Sequence, residues 1–419
     1  MGTSMPLDIP PDTTTSGEEF FRTEGAYTGL GAPITGGAID RWILGEGPHI
    51  GNGVELFDEL CWRLLGDGVP LWRATLYMGT LHPLISGLGA RWLREPKVIE
   101  EFRILHGSQA TDEYLRSPIR ATIERGTPFR RRLIEDTPEF PLLSKLRRAG
   151  ATDYFALALN RTFRTFPAVT WATDRPGGFS DADIAALEEI NPALAAIVET
   201  RQIRRISANL LDTYFGPQAG RRILAGQIRR AEGERLRTVI MMTDLRGFTA
   251  LSDHLPGEEV IELLDDYFDA LATPIEKRKG EVLKFIGDGM LAIFPAEDDD
   301  DFSASSVHAL DAAREGLERL DAVNRARRAT GRSELRTGIG LHLGEVIYGN
   351  VGAAGRLDFT VIGPAVNLAS RIEDLTKRLR RPMLFSSAFA RICPRPLISL
   401  GFQPVRGLNE PEEVFGLPE

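Results

Sequence analysis

Between Arg237 and Phe294 the chain carries apolar runs that end at two aspartates, and few folds accept that arrangement. Val239-Ile240-Met241-Met242-Thr243 leads into Asp244, and Leu245-Arg246-Gly247-Phe248-Thr249 follows. Further on, Val282 to Ile286 and Met290 to Phe294 flank Gly287-Asp288-Gly289. Short apolar runs around such a turn predict a β-hairpin. Glycine on either side of Asp288 lets the backbone turn sharply and pushes the carboxylate outward. Two outward carboxylates at strand ends can hold a pair of magnesium ions about 3.5–4 Å apart, the arrangement used for in-line displacement at phosphorus. Either aspartate alone would read as a turn cap.

The residues around them form an ordered set. Thr243 to Thr249 is followed by Lys284-Phe285-Ile286-Gly287-Asp288-Gly289, then by Gly338-Ile339-Gly340-Leu341-His342 and Gly349-Asn350-Val351-Gly352. Last come Arg356, Asp358-Phe359-Thr360-Val361-Ile362-Gly363 and Val366-Asn367-Leu368-Ala369-Ser370-Arg371. In this order the motifs resemble the class III nucleotidyl cyclase catalytic domain, over 237–419. The resemblance implies an α/β (α+β) domain with a ferredoxin-like core and helices on one sheet face. Two departures stand out: Met242 where the family usually has Phe, and Pro364 where it often has an acidic residue.

Composition narrows the rest. Apolar residues make up 42% of 419, as in ordinary globular protein, and the length suggests two or three domains. A net charge of −9 argues against a nucleic-acid binder. Cys61 and Cys393 stand far apart without metal spacing, so a reducing compartment without structural disulfides is expected. No apolar run approaches the ~18 residues of a membrane span, and no secretory signal opens the chain. A cytoplasmic protein is expected.

Residues 1–38, rich in Pro, Thr, Ser and Gly, read as a flexible tail. Residues 39–198 read as helix, strand, strand, helix, strand, strand, the order of an antiparallel sheet flanked by helices. Val54, Phe57, Leu60, Cys61, Leu64 and Leu65 mark the first helix, and Leu71 to Leu81 a strand. Ser180 and Asp183 start the last helix as a capping box. That order and ending resemble GAF-type sensor domains, which implies a small-molecule or protein effector whose identity the sequence does not carry. Trp62, Trp72, Trp92, Trp171 and Phe155 read as core rather than as a pocket. Residues 199–236 read as a helical linker whose stripe of Ile203, Ile206, Leu210 and Leu211 suits a parallel two-helix seam. Its arginines read as solvated flanks of that seam. The acidic run Glu297 to Asp301 reads as a solvated loop.

The cyclase resemblance implies adenylate cyclase activity in intracellular signal transduction, with ATP converted to 3′,5′-cyclic AMP and pyrophosphate. It implies two Mg²⁺ (or Mn²⁺) per site, held by Asp244, Asp288 and the Leu245 carbonyl. The amides of Phe248 and Thr249 would hold terminal phosphates. Lys284 and Thr360 would read the base: lysine only donates, which suits the bare ring nitrogen of adenine, and threonine can accept from the exocyclic amine. Asp358 also lies on that side of the strand, but the register counted from Asn367 favours Thr360. Asn367 and Arg371, one helical turn apart, would orient the ribose and stabilise charge at the α-phosphate. Arg406 lies where the family often carries a phosphate-binding cation and is left unassigned. The family builds its sites in a homodimer, with the metals on one protomer and Lys284, Thr360, Asn367 and Arg371 from the other. The competing expectations are a guanylate cyclase and a catalytically silent nucleotide-binding regulator. A diguanylate cyclase would need a different hairpin from Gly287-Asp288-Gly289.

Overall fold

The computed structural model describes residues 12–13, 18–22, 39–133, 139–159, 167–296, 302–406 and 410–418. The acidic run Glu297 to Asp301, and all of 1–38 except two short strands, lie outside them. The chain divides into two units, 1–213 and 214–419.

In the first unit the order is β1 (Asp12–Thr13), β2 (Glu18–Arg22), α1 (Ile39–Gly45), α2 (Gly53–Gly66), β3 (Arg73–Gly79), β4 (Ile85–Leu93), β5 (Val98–Leu105), α3 (Asp112–Leu115) and α4 (Pro118–Arg125). Then come β6 (Phe129–Arg132), α5 (Pro141–Arg148), β7 (Asp153–Ala158), β8 (Ala168–Thr173), α6 (Asp181–Glu189) and α7 (Asn191–Phe215). The strands form one sheet in the order β1-β2-β5-β4-β3-β8-β7-β6, with every pairing antiparallel.

Part of the expected tail is thus in the sheet, because Glu18–Arg22 pairs with β5 on one side and Asp12–Thr13 on the other. Sequence reading also missed β4 and β6. Gly87 and Gly89 interrupt the apolar pattern of β4, and Gly89 is required there: a Cβ would fall 2.1 Å from the Phe102 ring on β5. Along β7 the side chains alternate, Phe155 and Leu157 toward α2, α6 and α7, Tyr154 and Ala156 toward α5. Trp92, Trp171 and Phe155 are buried core, as is Cys61. The capping box forms, with the Asp183 amide donating to Ser180 Oγ and the Ser180 amide to Asp183 Oδ2.

The second unit holds α8 (Pro217–Leu224), β9 (Gly233–Leu245), α9 (Phe248–Ser252), α10 (Gly257–Lys277), β10 (Glu281–Ile286), β11 (Gly289–Pro295) and α11 (Phe302–Ala329). After these come β12 (Thr337–Ala353), β13 (Arg356–Ile362), α12 (Pro364–Leu379), β14 (Met383–Ser386), α13 (Ser387–Ala390), β15 (Ile398–Gln403) and β16 (Glu412–Gly416). The stretch expected as a helical linker contains a helix end at Phe215, a break at Gly216, the short α8 and the opening of β9 at Gly233. The sheet runs β10-β11-β9-β12-β14-β16-β15, with β13 paired to β12 and only β12–β14 parallel.

Alternation along β9 divides the packing. Val239, Met241 and Leu245 meet Leu263, Tyr267 and Leu271 of α10 and Leu310 and Ala313 of α11. Ile240 meets Ala365 and Ala369 of α12 and Ala219 of α8 on the opposite side. Helices therefore cover both faces, which corrects the expectation of one. A central strand buried on both sides needs apolar residues at consecutive positions, and Val239-Ile240-Met241 supplies them.

Candidate active site

Asp244 lies near the end of β9, between β11 and β12, with Gly289 and Gly338 as its register partners. Asp288 occupies the two-residue turn closed by the Ile286–Gly289 pair. Gly287 in that turn has φ +63°, a left-handed conformation that disfavours any residue with a Cβ. The Leu245 amide donates to the Asp288 carbonyl at 3.2 Å and ties the turn to the end of β9. The two aspartates therefore stand side by side. Burial, and then the charge of Asp288, push the Asp244 carboxyl above its ordinary range.

On α12, Lys377 Nζ lies 3.6 Å from Asp244 Oδ2. Glu373, one turn earlier and buried, is pushed up to about 7 by burial and then by Asp244. Sequence reading missed both residues. The only local signal was Glu373 four residues before Lys377 on one helix face, which does not say that the face meets Asp244.

The donor set suits a hard divalent cation. Carboxylate and carbonyl oxygens are what magnesium prefers, and repulsion between Asp244 and Asp288 is relieved by a cation between them. Among the described residues no cluster of three or more His, Cys, Asp or Glu side chains forms a metal cage. Two aspartates and the Leu245 carbonyl leave coordination positions for water and substrate oxygens, as magnesium usually has. Beside them, Phe248 and Thr249 open α9 after Gly247. The first intrahelical bond there runs from the Leu251 amide to the Gly247 carbonyl, so the amides of Phe248 and Thr249 have no partner inside the helix.

A second group of side chains comes from β10, β13 and the first half of α12. Lys284 Nζ donates to Asp358 Oδ2 at 3.0 Å, joining β10 to β13. Thr360 is 2% exposed, and its Oγ1 has no hydrogen-bond partner among the described residues. A buried hydroxyl left unpaired costs roughly 1–3 kcal/mol, so this atom is suited to a group from outside the chain. Asn367 is exposed and Arg371 half-buried, four residues apart on α12, about 6 Å of helix rise. Lys377 lies about 9 Å further along the same helix. Among the described residues no hydrogen bond or ion pair joins Asp244 or Asp288 to Thr360, Asn367 or Arg371. Arg406 is exposed beside residues that are not described.

Residues 233–381 match the family described as adenylate and guanylate cyclase catalytic domain. Adenylate cyclase 1 of Rhizobium meliloti is 31% identical over 228 residues, 53% of this chain and 34% of that protein. An adenylate cyclase of Anabaena cylindrica is 32% identical over 227 residues, 51% of this chain and 44% of that one. The chain thus spans less than half the length of either relative. Among solved structures, the adenylyl cyclase CyaB from P. aeruginosa is 26% identical, with a TM-score of 0.41, over 45% of this chain and 96% of that one. Among the described residues no helix is long and apolar enough to cross a membrane. Residues 233–381, which carry the paired aspartates and the α12 side chains, form an adenylate and guanylate cyclase catalytic domain.

Proposed function

We propose that this chain is a cytoplasmic adenylate cyclase that converts ATP to 3′,5′-cyclic AMP and pyrophosphate, under control of the N-terminal unit acting as a GAF-like sensor. The observation that carries the activity is the pairing of Asp244 and Asp288 at adjacent strand ends, with the Leu245 carbonyl beside them. Bound Mg²⁺ or Mn²⁺, two per site, would acidify the ribose 3′-hydroxyl and neutralise charge on the phosphate chain.

Asp244, Asp288 and the Leu245 carbonyl hold the ions, and the amides of Phe248 and Thr249 hold the terminal phosphates. Asn367 orients the ribose so that its 3′-oxygen faces the α-phosphorus. The new O–P bond forms as the bond to the β-phosphate breaks, the hydroxyl proton passes to solvent water, and pyrophosphate carries away the electron pair. Arg371 offsets the charge that grows on the α-phosphate. Lys284 donates to the ring nitrogen of adenine, and Thr360 Oγ1 accepts from its amine.

By its likeness to the cyclase family, the active form is a homodimer in which each site takes Asp244 and Asp288 from one protomer and Lys284, Thr360, Asn367 and Arg371 from the other. Ile203 and Leu210 of the α7 stripe, 40% and 37% exposed, offer apolar surface for the seam. Incubating the purified chain with ATP or GTP and Mg²⁺ or Mn²⁺, and identifying the product by mass, tests the proposal. Cyclic AMP is expected; cyclic GMP alone, or no cyclic product, overturns it.

A further inference from the structure

The first unit contains a cleft of about 400 Å³ between the segment before α2, the end of β3 and the face of α7. That volume lies in the range of small-molecule sites, roughly 300–1,000 Å³. Ile50, Met78 and Leu88 give it an apolar side, and Arg201, Arg204 and Arg205 a cationic one. The arginines fall at i, i+3 and i+4, so α7 points all three the same way, a spacing at which like charges repel. No acidic side chain lines the cleft. Carboxylates stand on the elements around it: Glu55 on α2 acts on Arg201, and Glu101 on β5 lies 3.7 Å from Arg205.

The wall is held in place before any ligand arrives. Arg201 Nη2 donates to the carbonyls of Gly47 and Ile50, both at 2.7 Å, which fixes the guanidinium plane. Its Nε is buried and has no partner among the described residues. Gln202, 5% exposed, donates from Nε2 to the Gly79 carbonyl at 2.7 Å, and Asn209 Nδ2 to Thr80 Oγ1 at 3.0 Å. Exposed Arg204 forms no ion pair among the described residues. A fixed guanidinium with a free donor, beside a second one without a counter-ion, is suited to the planar, forked recognition of a carboxylate or phosphate.

We propose that this cleft binds an organic anion, a carboxylate or phosphate carried on an apolar body, with Arg201 and Arg204 taking the anionic group and Ile50, Met78 and Leu88 the body. Such a site is independent of the chemistry of the second unit.

Calorimetric titration of the full chain with octyl phosphate, octanoate, inorganic phosphate and octanol tests it. One of the two amphipathic anions binds at least about tenfold tighter than inorganic phosphate and than octanol, since each of those supplies half the contacts. The exposed Arg204→Glu weakens that binding by about tenfold or more without unfolding the chain. Arg371→Ala, in the second unit, leaves it unchanged and so separates this cleft from the proposed nucleotide site. No binding by either anion, octanol as tight as both, an unaltered Kd in Arg204→Glu, or loss of binding in Arg371→Ala would each overturn the proposal.

Discussion

Lys284 Nζ and Asp358 Oδ2 meet at 3.0 Å across β10 and β13, although 74 residues separate them. Their side chains are 33% and 52% exposed, so the pair adds little to stability. Its consequence is positional: the bond holds the lysine charge against β13, two residues along the strand from the buried Thr360. Asp358→Asn should leave Tm unchanged and raise KM for ATP about fivefold, the equivalent of about 1 kcal/mol, with kcat nearly intact. Steady-state kinetics and a melting curve check this. An unmoved KM would mean that the pair does not position Lys284.

Base choice follows from donors and acceptors. Guanine presents a donor where adenine has its bare ring nitrogen, and a site built for one base can reject the other by a factor of up to about 10⁴ in kcat/KM. The double variant Lys284→Glu, Thr360→Cys reverses the pattern and should depress the ATP reaction, with a small gain for GTP. The measurement is kcat/KM for both nucleotides with both proteins. The same ATP:GTP ratio in each would remove these residues from base reading.

Removing either aspartate tests the metal chemistry. Asp244→Ala and Asp288→Ala should each abolish cyclisation, because each loses a ligand of a two-metal site. Burial and Asp288 raise the Asp244 carboxyl, so its ionised form destabilises the fold as pH rises through that raised value. Asp244→Ala should therefore melt no lower than wild type at pH 7. Near-normal turnover at saturating Mg²⁺ in either variant contradicts the assignment.

Asp244→Ala and Arg371→Ala chains should each be inactive alone and regain activity when mixed and re-equilibrated. In the heterodimer one site keeps every wild-type group. Heterodimers that form without activity would argue for a site within one chain.

Buried His342 carries a pH dependence of stability. Its Nδ1 and Ser386 Oγ form a 2.8 Å hydrogen bond, and burial pushes the imidazole from 6.5 down to about 4. Between those values the unfolded chain holds more protons than the folded one. The contribution is therefore complete above pH 6.5 and is lost as pH falls toward 4, by about 3 kcal/mol in total. Urea unfolding at pH 7 and pH 4.5 should show a smaller drop for His342→Gln than for wild type. Equal drops would show that this imidazole is not kept neutral by the fold.

The sequence by itself determined the elements that depend on near neighbours. Alternating or continuous apolar runs specified β9, β10 and β11, Gly287-Asp288-Gly289 specified their turn, and Ser180 with Asp183 specified the start of α6. The four-residue spacing of Asn367 and Arg371 put both on one side of α12. These signals are short-range, because turn geometry and the periods of helix and strand act over a few residues. Only the tertiary structure decided which of these pieces meet. Strand register brought Asp358 to Lys284, and the second apolar face of β9 drew α12 across the sheet, carrying Lys377 and Glu373 to Asp244. The packing of α7 against the segment before α2 turned three arginines, solvated flanks in the linear reading, into the wall of a cleft. Such pairings depend on long-range burial of apolar faces, and no local pattern in the chain encodes them.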